Sequence, residues 1–156
     1  MTLDEAEQRF ERALFHEAGH AAIGLALGCC VTRVRVTAED AVTTSHHERQ
    51  DGLPAELLEI QRSAACHLGG YFAERRRFPE ERAWTVRCAT TDFRRVARLL
   101  GLGSSLWRAS ARLAHRTVAQ HWDLIAAIAE RVRRNGRVER EELVTVAMEH
   151  GIVEQR

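Results

Sequence analysis

The stretch from Ala18 to Leu27 carries a single polar side chain, His20, and constrains the fold more than any other part of the chain. It continues a helical pattern that opens with Thr2 and Glu5 in the form of a capping box and runs through Leu3, Ala6, Phe10, Ala13 and Leu14. Gly28 is positioned to stop this first helix, so the helix is predicted to reach about Leu27. Its second half offers no face to water and belongs in the middle of the molecule. A helical glycine costs about 1 kcal/mol relative to alanine, so Gly19 and Gly24 are expected where another element approaches closely. The apolar run is interrupted by His20 and falls short of the roughly 18 residues that span a bilayer. The acidic opening Met1-Thr2-Leu3-Asp4-Glu5 lacks the basic start of a secretory signal.

The rest of the chain reads as mainly helical with a small β-hairpin or short sheet. Thr32 to Val36 alternates polar and apolar residues within a β-branched segment, which predicts a strand over Val31 to Thr37. Val42 to Ser45 can pair with it, Glu39 and Asp40 lying near the turn. Asp51-Gly52-Leu53-Pro54 marks a break and a helix start. Leu57, Leu58, Ile60, Ala64, Ala65 and Leu68 carry that helix to about Arg77. Thr90-Thr91 offers an N-cap for a third helix ending at Gly101. Ser104 or Ser105 can cap a following stretch to Arg134, one long helix or two broken near Thr117, closed by Asn135-Gly136. A last helix is predicted over Glu139 to Met148.

The 156 residues correspond to one domain, 1–156, at roughly 100 to 200 residues per domain. Twenty-three basic residues against twenty-two acidic ones leave a net charge of +1, too little to draw nucleic acid or anionic lipid. Every one of those basic residues is arginine, which excludes a Schiff-base lysine or a phosphate-loop lysine. Cys29, Cys30, Cys66 and Cys88 show neither a CxxC pair nor regular spacing, so reduced thiols and a cytoplasmic location are expected.

Residues 16 to 20 read His16-Glu17-Ala18-Gly19-His20, the HExxH pattern, inside the first predicted helix. With eight histidines and seventeen glutamates the pattern arises by composition alone in roughly 4% of such chains, so it carries information. Side chains four apart share a helix face, so both imidazoles can meet one Zn²⁺. Glu17, beside them, is placed to move protons during hydrolysis of a carbonyl compound. The alternative is two histidines and a glutamate on a solvated helix face. The small apolar neighbours argue against it, because buried polar groups need partners and a metal supplies them. A hydrolytic zinc needs a third protein ligand. Ile23 and Ala26 stand where the extended metzincin pattern has glycine and histidine, so that class fails. Glu74 and Asp92 are the candidates.

His16 to Ala21 (HEAGHA), the strand after it, Leu68 to Glu74 (LGGYFAE) and Ala89 to Ala97 (ATTDFRRVA) follow one another in an order and spacing that resembles the FtsH family. These are the zinc-peptidase domains of membrane-anchored AAA proteases, and the resemblance covers most of the chain from about Phe10 to Gly101. It implies a helical, zincin-like metallopeptidase domain in which His16, His20 and Asp92 bind zinc and Glu17 is the catalytic base. The implied activity is zinc-dependent endopeptidase cleavage of flexible or unfolded polypeptides. The sequence departs from the family in showing no transmembrane segment and no phosphate-loop ATPase, so a separate ATPase or adaptor is an expected partner. The family's rings also make homo-oligomers a candidate assembly. The competing reading is a catalytically silent, peptidase-like interaction module, against which the intact Glu17 speaks.

Other polar residues have plainer expectations. The Val31 to Thr37 strand could present an edge to an extended peptide. Gly69-Gly70 suits packing against the HExxH helix, and Glu74 is either a partner to the metal ligands or a salt-bridge partner of an arginine. His67 is expected to be a satisfied core histidine rather than a transition-state donor approaching the zinc, His46-His47 a solvated loop, and His115 and His121, six apart, no ligand pair. Cys88 is a minor thiolate candidate and Tyr71 the single tyrosine. The arginine runs 75–77 and 131–134 sit at helix C-termini, where cations complement the dipole. Trp84, Trp107 and Trp122 read as packing or interface residues.

Overall fold

A computed structural model describes residues 3–37, 41–46, 57–81, 89–101 and 103–152. Among the described residues, six helices and three strands follow in the order α1 (Leu3–Ala26), β1 (Cys30–Val36), β2 (Ala41–His46), α2 (Leu57–Arg77), α3 (Thr90–Leu100), α4 (Ser105–Gln120), α5 (Trp122–Asn135), β3 (Arg137–Glu139) and α6 (Arg140–Glu149). A 3₁₀ turn, Pro79–Glu81, follows α2. The mainly helical architecture with a small antiparallel sheet is the one the sequence predicts.

Helix α1 ends in a Schellman arrangement. Gly28 takes φ +77°, the Cys29 N–H reaches back to the Gly24 carbonyl at 2.8 Å, and the Gly28 N–H reaches that of Leu25 at 3.2 Å. The chain reverses directly into β1, whose Val31, Val34 and Val36 are buried while Arg33 and Arg35 face outward. Strand β2 pairs antiparallel with β1, Val34 opposite Thr43 and Val36 opposite Ala41, as the hairpin reading requires.

The third strand was not expected: Val138 pairs with Val34 on the other side of β1. The sheet order is therefore β2-β1-β3, and β1 is central with both edges in use. The expectation that the Val31 to Thr37 strand offers a peptide a free edge is overturned by this pairing. Helix boundaries moved in two places. The break between α4 and α5 falls at His121, where ψ is +32°, rather than near Thr117, whose hydroxyl instead bonds the Leu113 carbonyl within α4. The N-cap of α3 is Ala89, with no side-chain cap, so Thr90 and Thr91 lie inside the helix. Ser104 caps α4 as expected, accepting from the Trp107 N–H at 3.1 Å, and Gly136 closes α5 at φ +72°. The predicted Thr2 cap, the Glu39-Asp40 turn, the Asp51-to-Pro54 break, His47, Trp84 and Cys88 lie outside the described residues.

The main core gathers Leu14, Ala18, Ala22 and Ile23 of α1 with Ile125, Ile128 and Val132 of α5, Leu143 of α6, and the sheet residues Val34 and Val138. Phe15 stacks on Trp122 with ring centroids 5.6 Å apart. A smaller cluster of Ala64, Ala65, Leu68, Val96 and Ala114 joins α2 to α3 and α4. Together they hold α1 between α5 on one side and α2 on the other. Among the described residues, no helix is long and apolar enough to cross a membrane.

Candidate metal centre

Where α1 meets α2 the backbones come so close that side chains are excluded. A Cβ on Gly19 would sit 2.6 Å from the Ala73 Cβ and 2.7 Å from the Gly69 carbonyl oxygen, and one on Gly69 would sit 2.8 Å from Ile23. Gly24 is confined in the same way by Val31. The expected close approach is thus observed. Gly70 goes further than its packing role: a Cβ there would lie 2.6 Å from His20 Nε2 and 2.8 Å from His16 Nε2. It vacates the space into which the two imidazoles point.

The third member comes from α3. Asp92, buried in its first turn, places Oδ2 3.1 Å from His16 Nε2 and 3.3 Å from His20 Nε2. The ligand atoms of His16, His20 and Asp92 all lie within 4.8 Å of one another, a group that could hold a metal ion. The same Asp92 turns Oδ1 toward His67 Nδ1 at 3.9 Å and Arg95 Nη1 at 3.8 Å.

Behind the imidazoles, each Nδ1 has its own acceptor. His16 Nδ1 lies 3.1 Å from Glu74 Oε2, and His20 Nδ1 lies 2.8 Å from the Cys66 carbonyl. A carboxylate and a carbonyl can only accept, so both Nδ1 atoms carry hydrogens and it is the Nε2 atoms that face Asp92. Such outer contacts fix ring orientation and tautomer at metal sites. Glu74, fully buried, is held in turn by Arg12 Nη1 at 3.2 Å from Oε1, and Arg12 also lies over the Phe78 ring at 4.6 Å. Glu74 therefore fills both roles open to it in the sequence, bonding the far side of His16 and pairing an arginine. It is not the third ligand.

The electrostatics favour a cation at this point. Burial works against a charged His16, but the hydrogen bonds to Asp92 and Glu74, with the field of Glu17, outweigh it and push its pKa up to about 10. Burial also works against the Asp92 carboxylate, and the two histidines overcome it, holding Asp92 well below the usual carboxylate range. Cys66 shifts upward through its contact with Cys29 and through burial.

His16, Glu17, His20 and Asp92 open onto a cleft of about 640 Å³, walled on one side by Ala41 to Thr44 of β2 and on the other by His67, Thr91 and Arg95. Glu17 lies beside the two imidazoles in this wall, its own carbonyl accepting from the Thr43 hydroxyl at 2.9 Å. This bond ties β2 to α1 at the site. His67 is a cleft residue rather than the core histidine expected, its side chain about a quarter exposed at 27%.

Other sequence candidates stand apart. Tyr71 is packed against Phe72 and Phe93 and accepts from Arg75 Nη1 at 3.0 Å. His115 and His121 join no metal group among the described residues. Arg131 pairs with Glu142 and Glu149, Arg133 with Glu11 and Glu130, and Arg134 with Glu130, which accounts for that run as balanced surface charge. Arg12 was missed by the sequence reading. Its signal is its place one turn before His16 on the same helix face, which becomes meaningful only once Glu74 lies opposite.

Compared with known proteins, the chain matches no family model and no curated protein.

Proposed function

We propose that this chain is a zinc-dependent endopeptidase of the FtsH type, acting on flexible or unfolded polypeptide segments. The observation that carries the reading is the convergence of His16, His20 and Asp92 at the foot of a cleft that also holds Glu17. The donor set suits zinc. Two imidazoles and a carboxylate are the ligands of hydrolytic zinc sites, and a tetrahedral ion with ligands at about 2.0 to 2.1 Å sets them about 3.3 to 3.4 Å apart. The oxygen-to-nitrogen separations of 3.1 and 3.3 Å match that spacing. Bound there, zinc would polarise a scissile carbonyl and lower the pKa of water.

The protein's own groups do the rest. Glu74 and the Cys66 carbonyl keep the imidazoles turned to the cleft. Glu17 takes the proton of the attacking water on its carboxylate and returns it to the departing amine nitrogen. Strand β2, an outer strand of the sheet among the described residues and the one that lines the cleft, pairs with an extended substrate backbone. A cleft of this kind admits flexible chain, so folded substrates require a separate ATPase or adaptor to deliver them.

The test is metal analysis joined to peptide and casein cleavage by wild type and Glu17→Gln. The expected result is one zinc per chain in both proteins, with cleavage reduced about 10²- to 10⁴-fold in the variant. Zinc bound without cleavage by wild type over a broad peptide set would replace the enzyme by the silent interaction module.

A further inference from the structure

Two thiols from distant parts of the chain meet beside the metal centre: Cys29 Sγ and Cys66 Sγ lie 3.3 Å apart across 37 positions of sequence. We propose that they form a redox modification site, a dithiol that closes to a disulfide joining the end of α1 to α2. Both sulfurs are held by backbone. Cys29 is fixed by the Schellman turn, its N–H bound to the Gly24 carbonyl at 2.8 Å. Cys66 is buried within α2, where its carbonyl accepts from His20 Nδ1 at 2.8 Å. The sulfurs have only to close to the roughly 2.05 Å of a bond. The adjacent Cys30 is engaged elsewhere, accepting from Arg140 Nη1 at 2.7 Å.

The oxidant is a small-molecule disulfide such as oxidised glutathione. Cys29 is the more exposed thiol. As its thiolate it attacks one oxidant sulfur and expels the first glutathione thiolate. Cys66 then gives up its proton to the released glutathione thiolate and attacks Cys29 Sγ, expelling the second. Two protein thiols are oxidised, one external disulfide becomes two thiols, and reductant reverses the exchange. The bond ties together the two helices that supply His16, His20, Glu74 and Gly70, so it acts as a staple across the centre. The linkage itself is independent of which metal, if any, the site takes.

The full chain is incubated with oxidised glutathione, alkylated and digested without reductant, and the cystine peptides are mapped by mass spectrometry. A Cys29–Cys66 peptide is expected in wild type and in Cys30→Ser, and not in Cys29→Ser. The melting temperature without reductant should rise by about 5 to 15 °C on oxidation and fall back with dithiothreitol. The proposal is overturned if Cys29 and Cys66 are both alkylated in full with no linked peptide, if the linkage runs through Cys30 or Cys88, or if the linked protein melts lower than the reduced one. The wild-type map decides the pairing even if a cysteine variant fails to fold.

Discussion

Helix α1 has α2 and α5 as its main helical neighbours and treats them in opposite ways. Toward α2 it presents glycine, histidine and charge, and the buried polar residues Arg12, Glu17 and Glu74 all lie on these two helices. Toward α5 it meets Leu124, Ile125, Ile128 and Val132, and the charges of α5 stay outside in pairs with Glu11, Glu142 and Glu149. Glycines and buried ion pairs contribute little net stability, since desolvation offsets much of their attraction. Apolar burial returns roughly 25 cal/mol per Å². The contrast teaches that the α5 side holds α1 in place so that the α2 side can be spent on positioning polar groups.

This division can be broken from either side. The largest effect is expected from Ile128→Ala, which opens a cavity where the side chain is wholly enclosed. It should cost about 2 to 5 kcal/mol in denaturant unfolding while metal affinity, measured where the protein is folded, stays unchanged. Loss of metal at that position would mean that the two faces are coupled. Gly70→Ala is the converse. Alanine favours the helix by about 1 kcal/mol, yet its Cβ would fall 2.6 to 2.8 Å from both Nε2 atoms. Metal affinity should drop about 100-fold, at the upper end of what losing an outer hydrogen bond costs, with helical content retained. Competition against a chelator of known affinity measures it, and unaltered affinity would remove the glycine from the site.

How far sequence reached follows the same division. The pairing of His16 and His20 was legible because their relation is local, one turn of one helix, and Gly28 and Gly136 announced helix ends for the same reason. Asp92 and Glu74 stood as alternative third ligands until the resemblance favoured Asp92, because choosing between them from the residues alone requires the register of α1 against α2 and α3. Gly70 was legible as a packing residue against α1, but not as the position that clears space for the two Nε2 atoms. Strand β3 escaped because three residues, Arg137 to Glu139, are too short for alternation to register. Its pairing with β1 is what removed that strand's supposed free edge.

The smallest effect separates the two faces by pH. In the metal-free protein His16 titrates near 10 instead of 6.5, so it binds a proton in the folded chain that the unfolded chain has released. A raised folded-state pKa gives stability that is complete below pH 6.5 and lost as pH rises through about 10. Within that window each pH unit should lower metal-free stability by up to about 1.4 kcal/mol. Asp92 does not cancel the slope there, because it is held ionised well below the window. Cys66, shifted upward by its contact with Cys29 and by burial, adds a slope of the same sign at the alkaline end. In the metal-loaded protein the Nε2 proton is displaced and the His16 contribution vanishes. Unfolding of both forms at pH 7, 8 and 9 should therefore give curves that diverge with rising pH, the loaded form flatter. Parallel curves would mean that the charge balance of the α2 face is not set by His16, whereas Ile128→Ala should shift both curves down without changing either slope.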